Sequence, residues 1–179
     1  MRNIYIDCGF LNGKGYNLFQ ATKEYKPDFL VYAFEPAREY PPKEGFTYFK
    51  KAAWIYDGEI DFHTSSRRRG QANGLFVNPN ARKETIFKVP CIDFSKWLLE
   101  TFTKDDYIVL KMDIEGAEKE VLGKMVKDGS IDLIKIAYIE PHRRVDNDQE
   151  YKDIVNFLAS KKDFSHRNAI EWSYKQYRK

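Results

Sequence analysis

With 179 residues, 42% hydrophobic and 16% aromatic beside 32% charged, the chain is long enough to bury one sizeable core and too short for two comfortable domains, and its composition excludes a largely disordered polypeptide. No run approaches the ~20 apolar residues of a membrane span, and the start MRNIYIDCGF lacks the apolar segment and cleavage site of a secretion signal, so a cytoplasmic protein with no membrane partner is expected. The formal net charge of +3 is too small to declare a nucleic-acid binder, although Arg67, Arg68 and Arg69 form one dense basic run.

Taken in chain order, β-rich apolar segments fall at residues 3–7, 29–34, 46–54, 107–112 and 133–139, with helix-like stretches between several of them. Runs such as FLVYAF and YIVLKM are apolar on both faces, as a parallel sheet covered by helices on both sides demands. The spacing predicts an extra strand over residues 59–64, then a polar, Gly- and Asn-rich loop, SSRRRGQANGLFVNPN, so that a loop insertion occupies about residues 57–86. Residues 94–102 and 149–160 read as helices, capped by Asp93 and by Asp146 or Asn147. DFSHRNAIEWSYKQY can form two short strands that turn at Arg167 and Asn168. Cys8 and Cys91 have neither metal-ligand nor disulfide spacing and are expected to be reduced core residues.

The first strand runs into Gly9, Gly13 and Gly15 and then a helix. Glycines there allow a ligand close to the backbone, and the helix start favours an anion. Their spacing, four and then two, departs from the dinucleotide fingerprint and disfavours nicotinamide cofactors. Glu35 follows twenty residues after Gly15, at the end of the next strand, where a carboxylate can accept hydrogen bonds from ribose hydroxyls. Turn, helix and acid in that order predict nucleoside binding. The plainer alternative is turn punctuation, with Glu35 capping the turn before Pro36.

IVLKMDIEGAEKEVL joins a strand to an amphipathic helix and crowds charge at the junction. Lys111 and Asp113 point to one side of the strand, at the edge that opens onto a ligand crevice in an open α/β sheet, a catalytic position for both unless the two merely pair. Asp113 is the first candidate for orienting or deprotonating an acceptor hydroxyl, with Glu140 and His142 of AYIEPH as alternatives. Asp113, Glu140 and His142 could instead ligate a divalent cation. Glu115 and Glu118 are read as residues that favour the helix start, flanking a buried stripe of Ala117, Val121, Leu122 and Met125. His63 and His166 read as surface or satisfied residues. Arg67, Arg68 and Arg69 could grip an anionic substrate, and Gln71 and Asn73 could bond sugar hydroxyls, or the segment is a solvated loop.

IDCGFLNGKG, AFEP, KKAAW, VPCIDFSKWL, LKMDIEGAEKEVL and IEPH together resemble the FkbM family of S-adenosylmethionine-dependent methyltransferases over residues 4–142. The resemblance implies a single domain over residues 1–179. Its fold would be a doubly wound, mostly parallel seven-stranded Rossmann-like sheet with a reversed last strand and helices on both faces. It also implies transfer of a methyl group from S-adenosylmethionine to an oxygen of a sugar or sugar-containing metabolite. Asp7, Gly9 and Gly13, with Asn12 between them, would hold the methionine part. Glu35, followed by Pro36, would hold the ribose, Ala53 and Trp54 would border the adenine, and Asp113 would lie near the sulfur. The chain starts almost at the first strand, so closure over the substrate is expected from the 57–86 insertion, from a second subunit of a homo-oligomer, or from nowhere. Two other readings stay open: an RNA ribose methyltransferase gripping phosphates through the arginines, and a cofactor-binding domain without catalysis. The first lacks any assignable Lys-Asp-Lys-Glu set of the kind that cap methyltransferases use.

Overall fold

The computed structural model describes residues 1–65, 74, 84–140 and 148–160. In chain order these form β1 (Asn3–Cys8), α1 (Lys14–Phe19), β2 (Leu30–Phe34), β3 (Phe46–Phe49), β4 (Ala52–Trp54), β5 (Gly58–Ser65) and β6 (Glu84–Asp93). There follow α2 (Phe94–Thr101), β7 (Tyr107–Met112), α3 (Glu118–Asp128), β8 (Ile134–Ile139) and α4 (Gln149–Ser160).

Five strands make a wholly parallel sheet in the order β3-β2-β1-β7-β8. The order reverses at β1, which is where an open α/β sheet leaves a crevice beyond its carboxyl edge. Successive side chains of β1 enter opposite faces: Ile4, Ile6 and Cys8 join a core closed by α2, α3 and α4, whereas Tyr5 joins an aromatic core with Tyr16 and Phe19 of α1. Helices on both faces and strands apolar on both faces are therefore one fact. Arg2 anchors the amino edge, donating from Nε (2.9 Å) and Nη2 (2.6 Å) to Asp106, and these bonds hold the Asp106 carboxyl well below the usual carboxylate range.

The expected seven strands with a reversed last one are not what the described residues form. Their central sheet has five strands, all parallel, and the terminal hairpin segment lies outside the described residues. Residues 46–54, expected as one strand, divide at the exposed Lys50 and Lys51. β3 pairs with β2, while β4 leaves the central sheet and pairs in parallel with Cys91–Asp93 at the end of β6. β5 and β6 form an antiparallel arm from Gly58↔Cys91 to Ser65↔Glu84; the extra strand expected over residues 59–64 lies within β5, and the two ends of the expected insertion join a small second sheet in the order β4-β6-β5. Pro90 sits in that strand because β4 extends only to Cys91, leaving its own backbone with a single neighbour.

The two helix expectations hold in their bounds or cap. Asp93 caps α2, accepting the Lys96 N–H at 3.1 Å. Helix α4 has the expected bounds, but its cap is Asp148, which accepts the Tyr151 N–H at 3.1 Å; Asp146 and Asn147 lie outside the described residues. Cys8 and Cys91 are free and buried. Among the described residues no helix is long and apolar enough to cross a membrane.

Candidate active site

The carboxyl ends of β1, β2 and β7 open on the same side of the sheet. Gly9 and Leu11 after β1, Glu35 to Arg38 after β2, and Asp113 to Glu115 after β7 line one cleft, and Ala52, Ala53 and Phe62 come to it from the second sheet. Its empty volume is ≈ 670 Å³, counting the open solvent at its mouth.

The turn after β1 is sewn to both neighbouring strands. The N–H groups of Gly9 and Phe10 donate to the Phe34 carbonyl (3.0 and 3.1 Å), and the Asp113 N–H donates to the Cys8 carbonyl at 3.1 Å. Gly9 has φ +80°, and a Cβ there would meet the Asp113 carbonyl oxygen at 1.9 Å, so this glycine is required by both conformation and space. Gly13 (φ +75°) precedes α1, and Asn12 caps locally, its Oδ1 accepting the Lys14 N–H at 3.3 Å.

Glu35 is buried at the cleft wall, 6% exposed. Its Oε2 accepts the Leu11 N–H and its Oε1 the Ala37 N–H, both at 3.0 Å. A carboxylate has about four acceptor positions. Two hydrogen bonds fix its plane and leave capacity for a pair of hydroxyls, so the residues present fit the ribose of a nucleoside cofactor.

Parallel register places Asp7 directly beside Lys111. Lys111 Nζ lies 3.1 Å from Asp7 Oδ1 and 3.4 Å from Asp113 Oδ2, and donates to the carbonyls of Gly9 (2.8 Å) and Cys8 (3.4 Å). Asp7 is fully buried and Lys111 nearly so. Neither lines the cleft. They form a buried clamp beneath the turn, while Asp113 is both a cleft wall and a member of the clamp. Burial pushes the Asp7 carboxyl up to about 6 and outweighs the pull of Lys111 in the other direction. A raised folded-state value means that the Asp7 contribution to stability is fully present below pH ~4 and is lost as pH rises through about 6. Subtracting the stability–pH curve of Asp7→Asn from that of wild type, by urea unfolding, should isolate a fall between those two values; a flat difference would contradict it.

Of the residues expected to bind cofactor, Gly9, Glu35, Pro36, Ala53 and Asp113 line the cleft, Asn12 and Gly13 sit in its adjoining turn, and Asp7 lies beneath. Trp54 is buried beside Ala53 without forming a cleft wall. Glu140 follows β8, its N–H bonded to the Met112 carbonyl at 2.9 Å, and does not line the cleft either. His142, Arg67, Arg68, Arg69, Gln71 and Asn73 lie outside the described residues. Among the described residues no three His, Cys, Asp or Glu side chains cluster to hold a metal ion.

Glu115 departs from its expected role. α3 begins only at Glu118, whose Oε1 reaches back to accept the Ile114 N–H at 2.9 Å, so Glu118 does serve the helix start. Glu115 lies before it in a left-handed turn (φ +56°) and lines the cleft. The Glu-Gly pair, with Gly116 also at positive φ, is the sequence signal for that turn. Sequence reasoning also missed Leu11, Phe62 and Arg38, each of which reaches the cleft through pairing with distant segments or through turn geometry.

A family model described as the Methyltransferase FkbM domain matches residues 7–167. No curated protein and no solved structure matches the chain.

Proposed function

The chain belongs to the FkbM methyltransferase family, and on that premise we propose an O-methyltransferase that uses S-adenosyl-L-methionine and acts on a hydroxyl of a sugar or glycosylated metabolite. The observation that carries this reading is one cleft lined by two fixed acidic groups: Glu35, held by two backbone N–H groups, and Asp113, held by Lys111. Glu35 would bond the ribose hydroxyls, and the Gly9 turn, with no side chain in the way, would hold the methionine part. When bound, the cofactor supplies a methyl group activated by a sulfonium.

Asp113 orients the acceptor hydroxyl and takes its proton. Lys111 keeps that carboxylate in place through the same ammonium that binds the Gly9 carbonyl, so cofactor turn and proton acceptor are held as one unit. Phe62 and Glu115 both line the cleft and supply an apolar ring and an acceptor of hydroxyl hydrogen bonds, groups that suit a polyol. Calorimetry should give binding of both S-adenosylmethionine and its demethylated product; binding of neither would end this reading. Methyl transfer over a panel of glycans, nucleotides and RNA should then favour a sugar-bearing acceptor. A chelator arm tests the divalent cation, and turnover confined to RNA would overturn the choice of acceptor.

A further inference from the structure

We infer that Tyr40 is a positioning residue of the cofactor site: its hydroxyl, bonded to the Leu11 carbonyl, locks the backbone at Leu11, and the N–H of that residue holds the Glu35 carboxylate. Two hydrogen bonds and one placement make this chain. The Tyr40 hydroxyl donates to the Leu11 carbonyl oxygen, the Leu11 N–H donates to Glu35 Oε2 at 3.0 Å, and Leu11 itself lines the cleft.

Leu11 needs such a lock. Its φ of +46° lies in the left-handed region that a leucine seldom adopts, so neighbours must hold it there. Tyr40 is suited to the task because its ring is itself fixed, edge-on to Phe10 (5.1 Å between centroids) and stacked on Tyr48 of β3 at 5.0 Å. Burial, with the nearby Glu35 carboxylate adding to it, keeps the phenol protonated and hence a donor. Without the hydroxyl, the ring stack would persist while the Leu11 peptide could relax to negative φ and turn its N–H away from Glu35.

This inference rests on the proposed cofactor reading, and S-adenosylhomocysteine is the probe that separates the two. By calorimetry at pH 7.5, Tyr40→Phe should weaken its binding about 3- to 10-fold, the size expected for one hydrogen bond acting on an oriented carboxylate. In a Glu35→Gln background the same change should have little further effect, because Tyr40 acts through Glu35. A role in packing alone would instead lower the melting temperature of the free protein and add fully to Glu35→Gln. No binding to wild type would overturn the cofactor reading together with this inference. Equal binding by wild type and Tyr40→Phe, or full additivity, would overturn this inference alone.

Discussion

Asp113→Asn is expected to bind S-adenosylmethionine within a few-fold of wild type and to lose about 10²- to 10⁴-fold in turnover, the usual contribution of a positioned general base. The substitution is nearly isosteric, and the features that Asp113 gives the Gly9 turn are backbone ones: its N–H on the Cys8 carbonyl and its carbonyl against Gly9. Lys111 retains Asp7 and two carbonyl partners when the Asp113 charge is removed. Affinity and chemistry should therefore separate. Calorimetry together with single-turnover methyl release measures the two independently. Unchanged turnover would remove Asp113 as the proton acceptor, and a parallel loss of affinity would assign it to binding.

Lys111→Met should be the most destabilising single change in the site, by about 3–5 kcal/mol, because it leaves the fully buried Asp7 without its counter-charge. The carbonyls of Gly9 and Cys8 lose their side-chain donor at the same time. A buried carboxylate that loses its cation takes up a proton rather than remain charged. Asp7 titrates near 6 with Lys111 present and would titrate higher without it, so the loss should be large at pH 8 and smaller at pH 5. Combining Asp7→Asn with Lys111→Met should recover most of the stability, since no buried charge then stands alone. Urea unfolding of the four proteins at both pH values, with unchanged m-values, measures this. A Lys111→Met protein as stable as wild type at pH 8 would show that the clamp contributes nothing.

These predictions separate the two charges that the sequence placed together on one side of β7. Their shared direction was legible, because side chains two apart on a strand point the same way. That Lys111 stops beneath the turn while Asp113 reaches the cleft depends on the depth of the adjacent β1 end, where Gly9 covers the ammonium. Glu115 and Glu118 divide in a similar way. Both are acids near a helix start, but the left-handed backbone at Glu115 and Gly116 delays the helix, sending one acid into the cleft and the other back onto the Ile114 N–H.

Local pattern was enough for the central strands, the bounds of α4 and the cap of α2, since each is written in side-chain period or in a capping residue beside its own helix. The Gly9 turn and Glu35 were legible for the same reason: strand, glycine and acid follow one another in a short stretch. Pattern failed at residues 46–54. The segment is β-forming throughout, yet the choice of sheet for Ala52–Trp54 is made by Cys91–Asp93, far along the chain.

A parallel α/β sheet covered on both faces, a glycine turn with an acidic partner, and membership of a methyltransferase family were all legible without coordinates, because they reside in short-range periodicity and contiguous motifs. The tertiary structure alone decided which charges are buried and which face the cleft, how the arm of β5 and β6 brings Phe62 to it, and that Leu11 is held in a left-handed turn from 24 and 29 residues away by Glu35 and Tyr40. Such choices are made by contacts between segments distant in the chain, whose loop-closure entropy is offset only once the whole sheet has formed.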